Sequence, residues 1–169
     1  MANTYILIAS NTVGSGGTAQ VDFNSIPQTY TDLLIKTSTN ASSLTVLRMR
    51  FNSVSSNDYT QMVFRGTGAA TAKFTNAGWD SLAYLSPSYN NDGTSLFSNN
   101  EYYIPNYTSS TNKFISGDSV TEANATTAYQ IMYAGILDNT SAITSISFTP
   151  ASGTFAQHST FYLYGIKNS

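Results

Sequence analysis

What most constrains this chain is the shortness of its apolar runs. Each ends within a few residues in a cluster of Ser, Thr, Asn, Asp or Gly, and none keeps a helical period over a useful length. Runs of that kind read as strands bounded by turns. The clearest is LTVLRMRFN, in which Leu47, Met49 and Phe51 share one face while Arg48 and Arg50 share the other, so one face is expected buried and the other wet. The ending STFYLYGIKNS packs Phe161, Tyr162, Leu163, Tyr164 and Ile166 into six positions, 161–166. Chain ends stay disordered unless burial ties them down. That ending is therefore expected as a strand inside a sheet, with only Lys167 to Ser169 emerging.

The other runs follow the same pattern. Tyr5 to Ala9, the glycine turn VGSGGT and Ala19 to Phe23 read as a first hairpin. Pro27 ends one segment, and Leu33, Leu34 and Ile35 begin the next strand. After the turn SVSSND, YTQMVFRG gives another. Residues 76–112 are less regular and read as long loops carrying one strand near 100–104. Then come NKFISGD and TAYQIMYAGIL, where Tyr129, Ile131 and Tyr133 alternate with Gln130, Met132 and Ala134. Both faces of that strand are expected buried or nearly so, which places it in the middle of a sheet. The turn at 138–141 leads to AITSISF, with Ile146 and Phe148 on one face. About ten short antiparallel strands at this spacing predict an all-β, jelly-roll-like two-sheet β-sandwich. It is expected as a single domain over residues 1–169, with both terminal strands lying within sheets rather than at exposed edges.

Composition narrows the function classes. A chain of 169 residues buries about two-thirds of its unfolded surface and folds without staples. Only 9% of its residues are charged, against about 25% in an average globular protein, so Ser, Thr and Asn must cover the surface. Net charge is −2, and Arg48, Arg50, Arg65 and the four lysines are scattered. Binding that neutralises phosphates needs clustered cations, so no nucleic acid partner is expected. The absence of cysteine excludes disulfides and thiolate metal or redox sites. MANTYILIAS has no basic leader region, and its apolar stretch is too short for a signal peptide core or a membrane span, so neither export by signal peptide nor membrane insertion is expected.

Chemistry is thin. The one histidine, His158, lies in FAQHST with no partner motif, so an exposed or loop-packing histidine outweighs a general base or metal ligand. The nine carboxylates read mostly as single turn residues. Asp118 and Glu122 can be read as a calcium or glycosidase pair, but their spacing is specific to neither. Gly14, Gly16 and Gly17 resemble a phosphate loop only superficially, because the βαβ context and the third glycine at its proper offset are missing. Sequons at Asn40, Asn106, Asn124 and Asn139 arise by chance in a chain so rich in Asn, Ser and Thr. No enzymatic activity, cofactor or metal is expected. The aromatic residues of the irregular region, Trp79, Tyr84, Tyr89, Tyr102, Tyr103 and Tyr107, sit among Asn, Ser, Asp, Gly and Pro. Three roles fit them: packing in core or loops, a subunit interface, or a face on which sugars stack.

The segments IPQTYTDLLIKTST, LRMRFNSVSSNDYTQ and NTSAITSISFTPASGTFAQHSTFYLYGIK closely resemble a group of small structural proteins of tailed phages, many from marine and freshwater cyanobacterial hosts. The likeness spans nearly the whole chain, is densest over Ile26 to Phe51 and Asn139 to Lys167, and has LYGIK as its most specific element. Residues 66–125 match poorly, as loops would. The resemblance implies a virion component with a jelly-roll-like sandwich, usually trimeric, serving as a capsid decoration or cement protein or within a tail fibre or spike. It brings no enzymatic residues. One departure stands out, because the glycine-containing turn often found after the RFN element is SVSSND here. The first expectation is a homotrimer bound to the major capsid protein on the head surface, assembled in the host cytoplasm and released by lysis. The chain's length leaves no room for a stalk, which favours the head. The alternative is a tail-associated receptor-binding module whose Trp79 to Tyr107 loops hold host surface glycans.

Overall fold

A computed structural model of the chain describes residues 4–43, 45–85, 87–88, 96–122 and 128–167. The strands are β1 (Tyr5–Thr12), β2 (Val21–Phe23), β3 (Asp32–Thr39), β4 (Thr45–Phe51), β5 (Tyr59–Gly66), β6 (Thr71–Trp79), β7 (Pro87–Ser88), β8 (Ser98–Ile104), β9 (Lys113–Glu122), β10 (Ala128–Leu137), β11 (Ile146–Pro150) and β12 (Thr160–Ile166). No helix occurs among the described residues. Alternation in the sequence becomes alternation in space. Along β4 the odd positions Leu47, Met49 and Phe51 are buried while Arg48 and Arg50 lie on the other face, half in water.

The pairing order defines the architecture. β1 pairs with β12 and β2 with β11, each antiparallel, so the two ends of the chain run alongside each other. β3 takes the other side of β12 and is followed by β8, while β4 takes the other side of β11 and is followed by β7. The result is β1-β12-β3-β8 in one sheet and β2-β11-β4-β7 in the other, the wrapped order of a jelly roll. Two further antiparallel pairs, β5–β6 and β9–β10, are inserted into this scheme. They extend the first sheet beyond β8 to eight strands, β1-β12-β3-β8-β9-β10-β5-β6.

The core lies between the sheets. Phe148 of β11 meets Phe161 of β12 across the gap with ring centroids 5.2 Å apart, and Phe161 meets Phe155 edge-on at 5.0 Å. Residues 81–85 close the wider half. Leu82 bonds the backbone of Met49 in both directions, and Gln61 Oε1 accepts from Ala83 N at 2.8 Å and from the Tyr133 hydroxyl at 2.9 Å.

Several expectations need correction. The first two strands form no hairpin, because β1 and β2 belong to different sheets and VGSGGT is the crossing between them. Gly17 is required there: its φ is +73°, and a Cβ would lie 2.5 Å from the Phe155 carbonyl oxygen. The last strand is internal, flanked by β1 and β3, as its composition requires, but the first strand is an edge. β6 falls where no strand was expected. β10 does sit mid-sheet between β9 and β5, yet only one of its faces is buried, and Met132 on the other is 62% exposed.

Candidate functional site

The six aromatic residues singled out by sequence do not form one site. Period-two alternation sends Tyr102 and Tyr103 to opposite faces of β8. Tyr102 is fully buried and donates its hydroxyl to the Leu85 carbonyl at 2.9 Å; burial pushes its phenol well above the usual tyrosine range. Tyr107 is also fully buried and donates to the Pro27 carbonyl. Both hold loops to the core. Tyr103 stands on the outward face of the eight-stranded sheet and donates to Asp32, a bond that, together with burial, pushes its pKa up to about 12. Tyr89 lies outside the described residues.

Trp79 and Tyr84 belong together, and with them comes Phe74, which sequence reasoning passed over. Tyr84 stacks on Phe74 with ring centroids 6.1 Å apart and planes 9° from parallel, and Trp79 lies 5.8 Å from Tyr84 with its ring tilted by 45°. The Arg65 guanidinium continues the row, 5.2 Å from Phe74 and 5.8 Å from Tyr129. Most of this ladder is half-buried. The ring of Tyr84 is its most exposed part.

The turn after β4 shows what replaces the missing glycine. Asn52 and Ser53 both adopt left-handed backbone, with φ of 51° and 56°. Asn tolerates that region better than most residues. Its side chain also clamps a loop some ninety residues away. Nδ2 donates to the Ala142 carbonyl at 2.8 Å, while Oδ1 accepts from Thr144 N at 2.8 Å, Ser145 N at 3.1 Å and the Thr144 hydroxyl at 3.2 Å. Tyr59, fully buried, closes the same turn by accepting from Phe51 N at 3.0 Å. Burial pushes its phenol up to about 12.

Several titratable groups of the described residues make structural contacts. Lys113 is fully buried and pairs with no carboxylate: its ammonium donates to the carbonyls of Ser109 at 2.7 Å, Thr111, and Thr140 at 3.3 Å. Burial lowers its pKa from the usual lysine value. Arg50 binds Asp80 through both its carboxylate and its backbone carbonyl, pinning residue 80 beside β4. Burial raises the Asp80 carboxyl, but the Ser81 hydroxyl and Arg50 outweigh it and hold it below the usual range. Asp118 is on β9 and not in a turn, and Asp22, Asp32 and Glu101 also occupy strands, which corrects the turn reading for these four. The side chain of Glu122, the remaining partner in the calcium or glycosidase pairing, and Asp92 and Asn124 lie outside the described residues. His158 is exposed in a turn, with its backbone N–H bonded to Val13 O at 2.9 Å. Among the described residues no group of three His, Cys, Asp or Glu side chains could hold a metal ion. Comparison of the chain with family models, curated proteins and solved structures found no match.

Proposed function

We propose that the chain is a structural protein of a tailed-phage virion, a homotrimeric capsid decoration protein that binds the outer surface of the head and cements it. One observation supports this reading above the others. The two segments densest in resemblance to phage structural proteins, Ile26–Phe51 and Asn139–Lys167, are remote in sequence yet pair with each other in both sheets, β3 with β12 and β4 with β11. A likeness concentrated in strands that hold each other in register is what a shared scaffold would keep, while loops vary. A sandwich by itself hosts many functions, so the role comes from the likeness and not from the fold.

The physical role is linkage. A protein that binds only the assembled shell stabilises it by mass action, about 2.7 kcal/mol per site at a concentration a hundredfold above its dissociation constant. The test is gold-labelled antibody against this protein on intact virions, viewed by negative-stain electron microscopy. Gold over the head is the expected result. Gold confined to the tail tip would transfer the role to the receptor-binding reading, whose remaining surface is the Trp79–Tyr84 end of the aromatic ladder. Unlabelled virions would overturn both.

A further inference from the structure

We propose that the outward face of the eight-stranded sheet is the surface through which copies of this chain bind one another. An antiparallel sheet with one face in water ordinarily alternates apolar inward and polar outward. This one does not. Of the nine large hydrophobic side chains exposed among the described residues, eight lie on this face, Tyr84 being the exception. Registers place Leu7, Tyr164, Leu34 and Tyr103 in one row across β1, β12, β3 and β8, in which Leu7 and Tyr103 are exposed, Tyr164 is half-buried and Leu34 is buried. Farther along the sheet, Met132 sits between Asp118 and Phe64, with Met62, Phe114 and Val120 around them. Phe114 is 53% and Val120 50% exposed, and Met132 more so.

Size and charge select the occupant. Eight strands about 4.8 Å apart, each about seven residues long at about 3.3 Å per residue, span about 38 by 23 Å, or about 900 Å². Stable complexes bury about 800 Å² per partner, so the face is large enough to form one. The face carries Lys36 and Lys73 against Glu101 and Asp118, and Lys36 binds Glu101 at 2.7 Å. With Asp32, whose carboxylate accepts from Tyr103 on the same face, three acidic groups stand against two lysines, so the face carries no excess of positive charge. An anionic polymer or lipid surface would find nothing to neutralise there. A second copy would bring both lysines and carboxylates to pair across the contact, the same apolar side chains, and methionines that repack readily against a partner. The inference deepens the proposed trimer by naming its contact surface, and it rests on that reading only for the number of copies.

The experiment is size-exclusion chromatography with light scattering on the full chain, whose monomer is 18.2 kDa. The wild type is expected at a multiple of that mass. Met132→Lys combined with Phe64→Lys is expected to give a monomer with an unchanged circular dichroism spectrum, while Met132→Leu keeps the oligomer. A monomeric wild type, or an oligomer that the double lysine variant leaves intact, overturns the proposal. If the wild type is monomeric and the double variant no longer binds purified phage heads, the face belongs to the capsid contact, and the decoration reading survives without this interface. If the oligomer behaves as expected but virions stay unlabelled by gold, the interface stands and the virion role falls.

Discussion

Replacing Asn52 by alanine removes four hydrogen bonds and leaves a β-carbon on left-handed backbone. The bonds tie the β4–β5 turn to residues 142–145. At about 1 kcal/mol each they would sum to about 4 kcal/mol in a dry site. Asn52 is half-buried, so water recovers part of that, and about 2 kcal/mol is a better figure. Alanine at a φ of 51° adds about 1 kcal/mol. The expected loss is about 3 kcal/mol, or a fall of about 6–12 °C in Tm for a chain of this size. Asn52→Gly separates the two contributions, because it deletes the same bonds but removes the backbone strain. It should be milder than alanine by about 1 kcal/mol, less whatever glycine adds to the entropy of the unfolded chain. Thermal unfolding followed by circular dichroism reads both variants. An alanine variant within about 0.5 kcal/mol of wild type would refute the clamp, since that is the scatter of ordinary surface substitutions.

Three other outcomes follow from the same geometry. Tyr59 and Tyr103 keep their protons up to about pH 12 in the fold, and burial raises Tyr102 and Tyr133 well above the usual tyrosine range. Unfolded phenols ionise near pH 10, so above that pH the unfolded chain releases protons that the native one retains, and stability falls as pH rises; for Tyr59 alone the loss reaches about 2 kcal/mol at pH 12. Absorbance at 295 nm should show these phenols ionising only together with loss of the far-ultraviolet signal, and titration of all twelve tyrosines near pH 10 with the fold intact would contradict it. Lys113→Met fills the volume of the stem but leaves the carbonyls of Ser109, Thr111 and Thr140 without their donor, and should cost about 2 kcal/mol in urea unfolding; a neutral result would mean that water serves those carbonyls equally well. Trp79→Ala, checked for folding, should leave head binding unchanged, whereas loss of host-cell adsorption with head binding intact would count against the decoration reading.

Much of the scaffold could be read from the chain because period two fixes which residues share a face. Leu47, Met49 and Phe51 are buried together, as are Ile146 and Phe148, and the density of Phe161 to Ile166 placed β12 inside a sheet. Pattern does not say which strand comes next in space. β1 and β2 read as a hairpin because they are neighbours in sequence, but their partners are β12 and β11, at the opposite end of the chain. β6 was invisible because GTGAATAKFTNAG offers Phe74 as its one bulky apolar residue before Trp79. At the candidate site the limit is different. Parity separates Tyr102 from Tyr103 but does not reveal which of them faces the core, so two loop anchors and a surface ring looked alike.

The same limit concealed the outward face. Apolar residues on both sides of TAYQIMYAGIL read as a strand covered twice, because a sequence records hydrophobicity and not the presence of a cover. Within this chain only the inward side is covered, by residues 81–85 and the facing sheet. A hairpin inserted merely to thicken a sandwich would bury its inward residues and present Ser, Thr and Asn to water, as so much of this chain does. The inserted strands β5, β9 and β10 instead present Met62, Phe64, Phe114, Val120 and Met132. Removing those side chains would leave the interior packing of the jelly roll untouched, so the stability of the monomer does not account for them. The proposed contact between copies would account for them by covering them.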